Sequence, residues 1–147
     1  MPITCDFLVI GSGVAGLSFA LEAAKGGDVV LVTKRSRDES NTRYAQGGIA
    51  AVLQPADSYQ SHVADTEKGG AGLCDHRAVE VVVQEGPERV LELLEWGANF
   101  DKKEGNPHGL AFTREGGHSF ARILHFTSVW PSPFQQRANS FSVPQTR

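Results

Sequence analysis

The chain has 147 residues, 40% hydrophobic and 21% charged, which is a globular balance for one domain and not that of a disordered chain. Fourteen Lys and Arg against 17 Asp and Glu leave a net charge of -3, so no basic excess exists to track a phosphate backbone and nucleic acid is excluded as the expected partner. Two cysteines, Cys5 and Cys74, are too few for a disulfide framework or a thiolate metal cluster, and no apolar stretch reaches the roughly 18 residues a membrane helix needs.

Met1 to Cys5 carries neither a basic residue nor an apolar run of secretory type, so the expected location is cytoplasmic, with both thiols reduced. Phe7 to Ile10 reads as a short buried strand ending in a glycine cluster. Val14, Leu17, Leu21 and Ala24 follow at helical spacing, and Gly26-Gly27 ends that helix. Val29 to Val32 is a second buried strand. Strand, helix and strand in about 30 residues make a βαβ unit with parallel strands and a right-handed crossover. The fold class is therefore α/β, of Rossmann-like type.

Lys34 to Tyr44 is polar and reads as a loop, and Gly48 to Leu53 as another short strand. Asp57 with Gln60 resembles a capping box that opens a helix to about Lys68. Asp75 caps a helix through Ala78 and Val82. Gly86-Pro87 then restarts a helix with Val90, Leu93 and Leu94 on one face, closed by Gly97. Ala98 to Asp101 is read as a brief strand and Lys102 to Gly109 as a loop.

Gly11-Ser12-Gly13-Val14-Ala15-Gly16 matches G-x-G-x-x-G, placed after a strand and at the opening of a helix. Gly11 permits the tight turn, Gly13 lets the backbone approach a pyrophosphate, and Gly16 allows helix and strand to pack closely. The helix N-terminus offers N–H groups and partial positive charge to the phosphates. The acidic residue that holds a ribose hydroxyl in the standard pattern is missing, because the second strand runs into Thr33-Lys34. Lys34 is then either a cofactor contact or an ordinary solvated lysine.

Ser40 to Ile49 (SNTRYAQGGI) brings hydroxyls, amides and two glycines to the edge of the sheet that faces a ligand crevice. Alone, it reads equally as a polar turn. Together, VIGSGVAGL and SNTRYAQGGIAAV resemble the FAD-binding domain of the succinate dehydrogenase/fumarate reductase flavoprotein family. Asp57-Ser58, Ser61-His62-Val63, Asp65-Thr66, Ala71 to Asp75 and Thr113-Arg114-Glu115-Gly116-Gly117-His118-Ser119 resemble its L-aspartate oxidase branch.

That resemblance, which spans about Cys5 to His125, implies the start of an incomplete FAD-binding domain. It places Ser12, Gly13, Val14 and Ala15 at the FAD pyrophosphate and Lys34 by the adenosine. Ser40, Asn41, Thr42, Arg43, Tyr44, Ala45, Gln46 and Gly47 would wrap the flavin. The covalent branch has a His before the Thr of this loop. Asn41 stands there in this chain, which implies non-covalent FAD. Glu115 would orient the substrate, its carboxylate meeting the α-ammonium of L-aspartate, a group that succinate lacks. Apart from the motif, Glu115 reads as an exposed loop acid. His118 is expected to shape the site, His62 and Arg122 to be structural, Cys74 inert, and Trp96 a packing residue.

The implied activity is FAD-dependent oxidation of L-aspartate to iminoaspartate in the quinolinate route to NAD. O2 or fumarate would be the electron acceptor, and quinolinate synthase a possible partner. Competing readings are a succinate dehydrogenase or fumarate reductase flavoprotein and a non-catalytic nucleotide-binding fragment. After His125 the resemblance stops where the composition changes: residues 126–147 hold no Asp, Glu or Gly and three of the seven prolines. The expectation is a partial FAD-binding domain over 1–125 with a non-family, unstructured tail over 126–147. Such a piece is expected to lack activity and to leave apolar sheet surface uncovered.

Overall fold

A computed structural model describes residues 2–34 and 47–126, which belong to two compact units. In the first, β1 (Phe7–Ile10) pairs in parallel with β2 (Val29–Val32), and α1 (Val14–Ala23) makes the crossover. The register sets Phe7 opposite Val29 and Ile10 opposite Val32. Gly11 N donates to Val32 O at 2.8 Å and so carries the ladder into the glycine loop. These are the elements that the apolar runs and the G-x-G-x-x-G spacing predict.

Two details differ. The helix face expected from Val14, Leu17, Leu21 and Ala24 is rotated: Val14 and Ala24 are exposed, and Ala20 is the buried residue of α1. Small side chains line the contact because the helix backbone comes very close to the glycine loop. The strands are also not buried on both faces. Phe7 meets Phe19 of α1 edge-on and Val9 is buried, whereas Leu8, Ile10 and Val32 are exposed, Ile10 at 81%. Successive side chains alternate across a strand, and among the described residues α1 packs on one side only. The uncovered apolar surface expected from the sequence is this face.

In the second unit, β3 (Gly48–Ala50) pairs antiparallel with β4 (Ile123–His125). β4 was not foreseen, because three residues are too few for a periodic signal. α2 (Tyr59–Gly69) and α3 (His76–Glu95) pack against each other. The core is Ala51, Val90, Phe100, Leu110 and Leu124, flanked by Ile49, Leu53, Leu93, Leu94 and Phe112. Phe126 N donates to Gly47 O at 3.0 Å, and its ring stands edge-on to Phe100, so packing continues one residue past His125. Residues 127–147 lie outside the described residues.

Three local expectations are corrected. Ser58 caps α2, its hydroxyl accepting from Ser61 N at 3.1 Å, while the carboxylate of Asp57 is committed to Arg122. The two helices expected around Gly86-Pro87 are one 20-residue helix. Proline costs a helix one backbone donor, and here the packed face with buried Val83 and Val90 on either side carries the helix through it. Asp75 caps α3 as predicted, by accepting from Ala78 N at 2.8 Å. At the other end Gly97 N bonds Leu94 O and Ala98 N bonds Leu93 O, a Schellman closure. Ala98 to Asp101 forms no strand, although Asp101 N does donate to His125 O at 2.9 Å.

Candidate functional site

The glycine loop leaves β1 at Gly11, whose φ of +106° is open to glycine and strained for an L side chain. Gly16 lies so near that a Cβ on it would be 2.1 Å from Gly11 O. Ser12 is buried, and its hydroxyl bonds Thr33 Oγ1 at 3.1 Å, which ties the loop to the residue following β2. Gly13 caps α1 without a side-chain hydrogen bond, and the first turn carries no acidic residue. The helix therefore opens at the positive end of its dipole with no acidic side chain in its own first turn. This geometry fits a dinucleotide pyrophosphate. Lys34 follows β2 and is exposed. Ser40 to Gln46 lie outside the described residues, and Gly47, the last residue of that segment, accepts from Phe126.

Glu115 sits in a loop whose base is closed by the pair Thr113 and Ile123, with reciprocal N–H···O bonds of 2.9 and 3.0 Å. His118 N donates to Glu115 O at 3.2 Å, and Gly117 supplies the positive φ of +86° that a type II turn needs at its third position. The carboxylate of Glu115 is 54% exposed, and its Oε1 pairs with His125 Nε2 at 2.9 Å.

The other end of the loop is anchored by a buried ionic cluster. Arg122, 1% exposed, donates from Nε and Nη2 to the two oxygens of Asp57 at 2.8 Å each, and from Nη1 to Asp65 Oδ2 at 2.7 Å. Nη2 also reaches Ser61 Oγ at 3.1 Å. Asp65 accepts both the N and the Oγ of Ser119 at 2.7 Å. A guanidinium only donates, so the 3.4 Å contact from Nη1 makes His118 Nδ1 the acceptor. His62 is buried beside His118, with ring centroids 5.8 Å apart, and its Nδ1 has no partner among the described residues. Arg122, expected to be structural, lies at the centre of this buried ionic cluster. The sequence offers Asp57 as a helix cap and Asp65 only as part of a motif, whereas the structure makes both the partners of Arg122.

The hydrogen bonds from Ser119 hold the Asp65 carboxyl down at about 2, with Arg122 adding to them. Burial pushes the His62 imidazole below its usual 6.5, helped by repulsion from Arg122 and His118. Both values lie below those of the unfolded chain, so the unfolded chain binds more protons in acid and stability falls with pH. The loss begins as pH drops below 6.5 through His62, and continues from 3.8 down through about 2 as Asp65 protonates. Urea midpoints measured across this range should fall in those two stages, and Asp65→Asn should flatten the lower one. An unchanged lower stage in that variant would contradict the assignment.

Among the described residues no group of three or more His, Cys, Asp or Glu is placed to hold a metal, and no helix is long and apolar enough to cross a membrane. A family model described as an FAD binding domain matches residues 6–139, so the chain belongs to the FAD-binding domain family and its cofactor is FAD. Within that family it is 59% identical over 121 residues to a protein of Arabidopsis thaliana named L-aspartate oxidase, chloroplastic, covering 82% of this chain and 18% of the relative. It is 52% identical over 124 residues to an L-aspartate oxidase of Vibrio cholerae, covering 82% and 23%. A solved quinol fumarate reductase chain of E. coli superposes with a TM-score of 0.79 at 28% identity, covering 95% of this chain and 25% of that one. The chain thus spans about a fifth of the length of these curated relatives.

Proposed function

We propose that the chain forms part of an FAD-dependent L-aspartate oxidase that converts L-aspartate to iminoaspartate. The observation that carries this reading is the half-exposed Glu115 carboxylate, fixed in the Thr113–Ser119 turn. When bound, FAD supplies the two-electron acceptor for oxidation of the substrate's Cα–N bond. The loop from Gly11 to Gly16 and the first N–H groups of α1 bind the pyrophosphate. Glu115 orients the substrate by accepting from its ammonium group, and its charge disfavours a bare dicarboxylate. The Arg122 cluster keeps the Thr113–Ser119 turn in place. O2 or fumarate as final electron acceptor, and quinolinate synthase as a partner, belong to the same reading.

Purified chain should carry a flavin band at about 450 nm. L-Aspartate should perturb that band and succinate should not, and Glu115→Gln should lose most of the preference, about tenfold, the scale of one charge-assisted hydrogen bond. A band perturbed more by succinate would support the second reading, a succinate dehydrogenase or fumarate reductase flavoprotein. The observation that favours that reading is the superposition on quinol fumarate reductase. A flavin band that neither compound moves would support a nucleotide-binding role alone.

A further inference from the structure

We propose that His125 is the positioning residue of Glu115: its imidazole, seated over Gly48, holds the Glu115 carboxylate toward the incoming ammonium group. The substrate side of this inference rests on the L-aspartate reading above. His125 belongs to β4, directly opposite Gly48 of β3. A Cβ on Gly48 would lie 3.5 Å from His125 Cε1 and 3.7 Å from Nδ1, so the imidazole lies against a position that carries no side chain. The backbone of His125 is pinned as well, its carbonyl accepting from Asp101 N. The ring therefore lies over Gly48 on a pinned backbone, and its Nε2 meets Glu115 Oε1 at 2.9 Å.

Glu115 itself has a long side chain on an exposed loop, and its turn fixes only its backbone. A free glutamate of this kind spreads over several rotamers, and ordering it on binding costs conformational entropy. The bond to His125 uses one carboxylate oxygen and leaves the side chain half exposed, so the group is ordered in advance and still reachable. A charge with a fixed direction discriminates an ammonium from a methylene better than a mobile one does.

The test uses the full chain with FAD added and its histidine rings labelled with nitrogen-15. Glu115→Gln should move the ring-nitrogen resonances of His125 and leave those of His108, on the separate Pro107–Gly109 turn, in place. Amide shifts of Gly116 and Gly117 then report L-aspartate and succinate binding. His125→Ala should weaken L-aspartate about tenfold without weakening succinate, and His125→Gln, which keeps an N–H donor, should recover most of the loss. Unmoved His125 nitrogens in Glu115→Gln, or equal L-aspartate affinity in His125→Ala, would overturn the inference. If L-aspartate moves no resonance in the unmodified chain, the substrate reading fails, while the ring nitrogens still decide whether His125 holds Glu115.

Discussion

Arg122→Met should destabilise residues 47–126 by about 3–5 kcal/mol, the cost of stripping one partner from a buried ion pair. The residue lies 1% exposed between Asp57 and Asp65, and Met would leave both carboxylates facing an apolar thioether. Ser61 and His118 lose a donor in the same change. Arg122→Lys should recover only part of the loss, since an ammonium cannot reproduce the forked contact to both oxygens of Asp57. Urea unfolding followed by tryptophan fluorescence measures this directly, because Trp96 sits at the end of α3 in the same unit. A midpoint within error of the unmodified chain would show that the cluster is not the anchor the geometry describes.

A companion variant separates charge from shape. Changing Asp57 to Leu together with Arg122→Met removes both members of the most buried pair and leaves Asp65 with its two Ser119 bonds. That double change should cost less than Arg122→Met alone, because an unpaired buried carboxylate is worse than an apolar replacement. The same logic connects stability to the site. Residues 113–122 are fastened at Thr113 by backbone bonds and at Ser119 and Arg122 by this cluster, with Glu115 between them. Loosening one fastening should therefore raise hydrogen exchange at Gly116 and Gly117 before the core opens.

The strand–helix–strand unit was legible because its signals are local. An apolar run, three glycines at fixed spacing and a second β-branched run each determine their own neighbourhood, and the register of β1 on β2 follows from the crossover between them. Pro87 shows where local signals fail. A Gly-Pro pair argues for a break, yet a single helix runs through it, with Val83 buried before the proline and Val90 buried in the core after it. The orientation of α1 failed for a related reason. Large residues defined the predicted face, but the observed contact runs through Gly16 and Ala20, where close approach matters more than apolar area.

The site was legible in its residue types and less so in its connections. Glu115 and the glycine loop are singled out in the sequence, whereas the turn at Gly117 comes from the structure. The links from Arg122 to Asp57 and Asp65 join positions 65 and 57 residues apart, and no spacing rule reaches that far. The bond from His125 to Glu115 needed β4, which pairs with β3 across most of the second unit. A buried arginine demands carboxylates, so its burial, once known, would have pointed to them. Burial of a single arginine is not written in composition or periodicity.

Gly16→Ala should abolish FAD retention at concentrations that saturate the unmodified chain. The added methyl would fall 2.1 Å from Gly11 O and 3.1 Å from Gly11 C, and both obstacles are backbone, so no rotamer change relieves them. Either α1 moves off β1 or the loop at Gly11 gives way. Gly11 already occupies a φ of +106° and bonds Val32 O through its N–H, so its freedom to yield is small. Overpacking of this kind costs about 1–3 kcal/mol in a core that can adjust, and more where backbone must move. The larger effect falls on binding, since the displaced helix end carries the N–H groups proposed to meet the pyrophosphate. Gly26→Ala is the matched control: its new Cβ would sit 3.7 Å from Ala23 O, an ordinary contact, and both flavin absorbance and stability should stay near those of the unmodified chain. Titration of FAD against the three proteins, read by flavin fluorescence, decides the matter. If Gly16→Ala holds FAD as tightly as the control does, the close approach of α1 to the glycine loop is not what binds the cofactor.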